Sequence, residues 1–210
     1  MTSIRSLARR AGLVATAATA ALVLAACGSG DGSDTGSGAQ TSASAGAEDT
    51  AGAHSDQDVS FAQEMIPHHQ QAVQMSEMAA TRASSAEVKD LASRIGKAQG
   101  PEIETMSGWL ESWGEDVPSS MPGMHHGSSD ASGMPGMMGT EDMDELMEAS
   151  GRGFDTMFLT MMVEHHEGAV EMATTEKEKG RYGPAKKLAS DIVTAQNAEI
   201  EEMNKLLGKS

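Results

Sequence analysis

The sequence predicts an all-α protein, an antiparallel four-helix bundle assembled from two copies of one helical hairpin. Two observations carry this. First, the chain repeats itself: sliding it by 97 residues lays Asp58–Leu110 on Asp155–Leu207 without a gap, and 20 of the 53 positions are identical. Such a match marks a duplicated unit. Second, apolar residues recur inside each copy at three- and four-residue spacing, the period of one helix face. A single hairpin would leave that stripe in water, so the two copies must pack against each other.

The first helix of each copy shows the period at Asp58, Phe61, Met65, His68 or His69, Ala72 and Ser76, with Asp58 suited to the N-cap or first turn. The second shows it at Val88, Leu91, Ile95, Ala98, Glu102, Ile103, Met106 and Leu110. "ASSAE" at 83–87 supplies a break with a serine cap, and "GRYGP" at 180–184 does the same in the second copy. Pro67 is out of place, because proline inside a helix removes a hydrogen bond and costs about 3 kcal/mol. The sequence favours a kink there; the alternative is a helix that starts at Pro67. The bundle is expected over 58–208, with repeat one at 58–110 and repeat two at 155–207. Between them, the Pro-, Gly- and Ser-rich stretch 114–140 reads as a loop, with helix resuming near Thr140 and Glu141 and Asp142 in its first turn.

The N-terminus has the form of an export signal. Arg5, Arg9 and Arg10 precede an apolar run, Ala11 to Ala26, that is shorter than the ~20 residues a membrane span needs. It ends in Leu24-Ala25-Ala26-Cys27, which resembles a bacterial lipobox. On this reading 1–26 is a lipoprotein signal peptide, Cys27 is lipidated, and the protein is extracytoplasmic and tied to the membrane only through that lipid. Residues 27–57, rich in Gly, Ser and Ala, read as a disordered tether with a reach of roughly 30 Å. Without the signal, 31 acids face 12 bases, which argues against nucleic acid and anionic lipid surfaces as partners.

Cys27 is the only cysteine, so the mature chain has no disulfide and no thiolate ligand. Its soft donors are thioethers, and methionine is abundant: 17 residues against six aromatics. Position gives the abundance meaning. "EMIPHHQQAVQM" at 64–75 and "MMVEHHEGAVEM" at 161–172 each set a histidine pair three residues after one methionine and six before another. On a helix His69 falls about 40° from Met65, an i,i+4 pair, and Ala72 leaves room beside them. Met75 lies two turns from His68, so a shared ion needs donors from neighbouring helices; Met106 and Met203 are candidates. Glu102 and Glu199 fall on the inner faces of their helices, as ligands or as acceptors that fix a histidine tautomer. The plainer alternative is a packed core in which the histidines bond the glutamates and the methionines fill space.

The loop adds Met121, Met124, His125, His126, Met134, Met137 and Met138, seven donors in 18 residues, where a disordered linker has no packing use for methionine. Thioether suits Cu(I), and imidazole also accepts Cu(II). A His-Glu-x-x-His zinc site is excluded by Val170, and the Glu-x-x-His spacing of di-iron bundles is absent.

Phe61-x-x-x-Met65-x-x-His68-His69-x-x-Ala72-Val73-x-Met75, followed by Gln99-x-x-Glu102-Ile103-x-x-Met106, resembles the family known as domain of unknown function 305. The resemblance spans 58–208. It implies a ferritin-like bundle and extracytoplasmic copper binding linked to copper resistance. It marks Met65, His68, His69, Met75, Met162, His165, His166 and Met172 as metal residues. The expectation is a non-enzymatic lipoprotein that buffers or sequesters Cu(I) and Cu(II), with a copper-handling protein as a candidate partner. The rivals are a metal-dependent oxidase acting on Cu(I), and an interaction lipoprotein whose methionines only pack.

Overall fold

The computed structural model describes residues 53–119 and 133–209. The signal, Cys27, nearly all of the tether and the loop residues Met121, Met124, His125 and His126 lie outside them. Five helices follow in order: α1 Asp56–Arg82, α2 Ala86–Trp113, α3 Thr140–Glu148, α4 Gly151–Lys179 and α5 Gly183–Leu206. α1 packs on α2 and α4 on α5, and the two hairpins meet chiefly through α1 and α4. These two inner helices carry the denser set of buried residues, whereas α2 and α5 bury one stripe each. No described helix is long and apolar enough to cross a membrane.

Two aspartates lock the hairpins together. Asp58 accepts hydrogen bonds from the backbone N–H groups of Arg181 (3.1 Å) and Tyr182 (2.8 Å), in the turn of the other repeat. Asp155 accepts from Ser84 N–H (2.9 Å), Ser85 N–H (3.0 Å) and the Ser84 hydroxyl. Asp58 matches Asp155 in the repeat, and Ser84 and Ser85 match Arg181 and Tyr182. The start of each inner helix therefore meets the end of the other, which makes α1 and α4 antiparallel and relates the repeats by an approximate two-fold axis.

The ends differ from the sequence reading by a few residues. α1 begins at Asp56, with Ser55 as its cap; Asp58 accepts from Ser55 N–H (2.7 Å) and Oγ–H (2.6 Å). The tether expected to run to residue 57 therefore ends earlier, and His54 stacks on Trp113 with ring centroids 4.4 Å apart. The serine break is as expected: Ser85 caps α2 and accepts from Val88 N–H. α1 runs through Pro67 as one helix, which rules out a helix starting there. α3 begins at Thr140 with Glu141 and Asp142 in its first turn, and it buries Met143 and Leu146 in the cluster that also holds Phe154 and Phe158 of α4.

Candidate metal centre

At the middle of the α1–α4 interface, the His68 and His165 rings face each other with centroids 3.7 Å apart. They are equivalent residues, so this contact lies on the two-fold axis. Both are fully buried. Burial, reinforced by neighbouring His69, pushes His68 down to about 3. Burial and then His68 hold His165 well below the usual histidine range. The pair is neutral at physiological pH, because a charged imidazole without solvent or a counter-ion is too costly.

Flanking the pair, His69 Nε2 lies 2.7 Å from Glu102 Oε2, and His166 Nε2 lies 2.8 Å from Glu199 Oε2. A carboxylate only accepts, so each Nε2 carries a hydrogen. Both Nδ1 atoms are buried with no hydrogen-bond partner among the described residues. The two glutamates thus act as acceptors that orient the rings.

The repeat methionines divide between two packed clusters. Met65 and Met106 of repeat one share a cluster with Met172 of repeat two. Met162 and Met203 of repeat two share the other with Met75 of repeat one, where Met143 and Met161 also pack. The six repeat methionines thus fall three to each cluster, two from one repeat and one from the other. Met65 lies one helical turn before His69, and Met106 one turn after Glu102, so in sequence each of these methionines adjoins the imidazole–carboxylate pair. Among the described residues no three His, Cys, Asp or Glu side chains converge as a metal cage. What the fold concentrates is thioether and imidazole, a soft to borderline donor set.

The end of the loop departs from expectation. Rather than forming a plain linker, residues 134–138 lie on the bundle. Gln71 of α1 donates to the Met138 carbonyl (2.9 Å) and accepts from the Met138 N–H (2.8 Å). The Pro135 carbonyl lies 3.1 Å from His68 Nε2. Met138 packs against the cluster containing Met75, so it does have a packing use. Met134 and Met137 are half-buried. Sequence reasoning missed Gln71, Pro135 and Gly168, although one signal was present: Gln71 and Gly168 are equivalent positions occupied by unlike residues.

The chain is similar to several proteins of known structure. A DUF305 protein from Streptomyces coelicolor, described as secreted, is 37% identical with a TM-score of 0.64 over 73% of this chain and 93% of its own. CopM in its Cu(II)-bound form is 36% identical with a TM-score of 0.60, over 71% of this chain and 94% of its own. CopM has also been solved bound to Cu(I) and to silver. A DUF305 fragment from Deinococcus radiodurans is 27% identical with a TM-score of 0.65, over 75% and 99%. No curated protein matches the chain. The fold is thus the all-α, ferritin-like bundle of these relatives, and metal binding occurs within the group. The model of the domain of unknown function DUF305 matches residues 58–207, and the chain belongs to that family.

Proposed function

We propose that this protein binds copper outside the cytoplasm, tethered by a lipid on Cys27, and buffers or sequesters the ion without turning it over. The observation that carries the reading is the pair of unpartnered Nδ1 atoms on His69 and His166, each ring oriented by a glutamate and each lying one helical turn after a clustered methionine. An unsatisfied buried polar atom costs about 1–3 kcal/mol, which a bound ion would offset at both nitrogens. Met65, Met106, Met172 and His69 would hold one Cu(I); Met162, Met203, Met75 and His166 would hold the other. His68 and His165 add neutral imidazoles that can accept Cu(II) without first losing a proton. The loop donors Met121, Met124, His125, His126, Met134, Met137 and Met138 would supply further capacity. CopM, bound to Cu(II), Cu(I) and silver in its structures, supports the choice of metal. A relative described as secreted supports the location.

The test is metal analysis of the mature protein after anaerobic Cu(I) loading, beside a variant with Met65, Met106 and Met172 changed to Leu. The parent should retain at least two Cu(I) in the bundle and the variant one fewer. A parent that leaves desalting metal-free overturns the reading.

A further inference from the structure

The two repeats are near mirrors in their chemistry, yet one element breaks the symmetry. The segment 134–138 crosses the axis and touches both inner helices, and the residues beneath it are not matched. In α1 the position is Gln71, whose amide takes both backbone groups of Met138. In α4 it is Gly168, where an added Cβ would collide with the Pro135 carbonyl. Glycine inside a helix costs roughly 1 kcal/mol relative to alanine. Here it leaves room for the segment, since a Cβ would meet the Pro135 carbonyl carbon and the Gly136 nitrogen as well. Gly136 is its counterpart within the segment. Its φ of +73° is a conformation natural to glycine, and a Cβ there would come within 2.5 Å of the Glu164 carbonyl oxygen. One helix therefore clasps the strap and the other makes room for it.

What the strap delivers is one carbonyl. Pro135 O can only accept, so His68 Nε2 must carry the hydrogen and Nδ1 must hold the lone pair. Among the described residues, His165, related to His68 by the axis, has no such partner on either nitrogen, and glutamates bond the outer histidines but no carboxylate bonds the central pair. For His68 the backbone of the strap does this work, and the strap is held by Gln71.

We propose that Gln71 is a positioning residue: its amide latches the 134–138 strap so that the Pro135 carbonyl fixes His68 with Nδ1 as the donor atom and closes the central histidine pair from solvent. The consequence for metal rests on the copper reading above, but the positioning role does not. Gln71 needs to touch no ion; it acts through the Met138 backbone and Pro135.

The experiment uses the apo full-length chain labelled with 15N at histidine. In the parent, the imidazole nitrogens of His68 should report the Nε2–H tautomer, and the Met138 amide should exchange slowly. Gln71→Ala and Gly168→Ala reach the strap from opposite sides. Each should mix the His68 tautomers and speed Met138 exchange at least tenfold, with helical circular dichroism unchanged. Gln71→Glu, which keeps the acceptor for Met138 N–H, should fall between. Gln63→Ala, which removes a bond to Asp116 elsewhere, should change neither signal. Faster Met138 exchange with an unaltered His68 tautomer would make the latch merely structural and overturn the proposal; so would no change in either signal. Silver(I) uptake by the same proteins then tests closure: Gln71→Ala should load faster to the same stoichiometry, and an unchanged rate overturns that part. Failure of the parent to take up silver would count against the copper reading alone, since the nitrogen and exchange signals need no metal.

Discussion

Asp58 and Asp155 each close the hairpin turn of the opposite repeat. Each carboxylate reaches two backbone N–H groups about 120 or 70 residues away in sequence, so the bundle is stitched at both ends by side chains that sit first in their repeats. Charge-assisted bonds of this kind are worth about 1.5–3 kcal/mol. Asp58→Asn and Asp155→Asn should each lower the melting temperature by roughly 4–8 °C in a domain of this size. The sites are at opposite ends, so the double variant should show close to the sum of the two losses. A much smaller combined loss in thermal denaturation would mean the two stitches are not independent.

Only one end carries an acid beneath its stitch. Glu176 is fully buried next to Asp58, where repeat one has Ala79. Burial first, and then the Asp58 carboxyl, push Glu176 up to about 8, with Lys186 opposing. A raised carboxyl contributes stability that is complete below its unfolded value near 4.5 and is lost as pH rises through about 8. Asp58, whose burial is outweighed by bonds from Ser55, Glu176 and Tyr182, is lowered to about 2, so its contribution is lost only as pH falls below about 3.8. Between pH 5 and 8.5 the parent should therefore lose stability relative to Glu176→Gln, by about 2 kcal/mol after allowance for partial screening. Melting curves at several pH values would show the gap widening; a constant gap would remove Glu176 as its cause.

The imidazole–carboxylate pairs should matter for metal more than for folding. Partners that orient a ligating histidine typically contribute 10–100-fold in affinity. Glu102→Gln should weaken one bundle site by about that factor and leave the other intact, with Glu199→Gln doing the reverse. Competition titration with a Cu(I) chelator would read this as a split into one tight and one weak site. Two sites weakened equally would show that the pockets are not separate.

The loop should be separable from the bundle. Replacing Met121, Met124, Met134, Met137 and Met138 by Leu should lower Cu(I) stoichiometry and leave Cu(II) binding largely intact, since thioether strongly prefers Cu(I). Leucine for methionine costs less than about 1.5 kcal/mol even where Met138 packs. Unchanged Cu(I) stoichiometry would exclude the loop as a store.

Cys27→Ser should abolish membrane attachment or block processing. Cell fractionation with the variant still in the membrane pellet would refute the lipid anchor.

The duplication, four long helices, their serine break and the inward-facing His and Glu residues were legible because each leaves a periodic trace. Met65, His69, Glu102 and Met106 declare themselves by spacing of three and four residues. The strap left no such trace: its bonds are backbone carbonyls and an N–H, invisible in residue identity, and Met138 is held by Gln71, 67 residues away in sequence. Ser55 was passed over because the tether composition continues smoothly into the cap. Glu176 left no signal in the sequence, since nothing local announces that it is buried beside Asp58. The disagreement between Gln71 and Gly168 was on the page, but a repeat draws attention to its matches, and here the mismatch carries the information.

Each of the two core clusters draws residues from both repeats, so neither half of the chain contains a complete one. A protein half this length, with a single hairpin, would have to meet a second copy of itself to assemble either cluster, and that encounter would create both at once. Fusing the copies turns a step that depends on protein concentration into an intramolecular one, so the core persists even in very dilute solution. It also frees the two halves to diverge, and the strap, seated on only one side of the axis, is a feature no pair of identical subunits could have held.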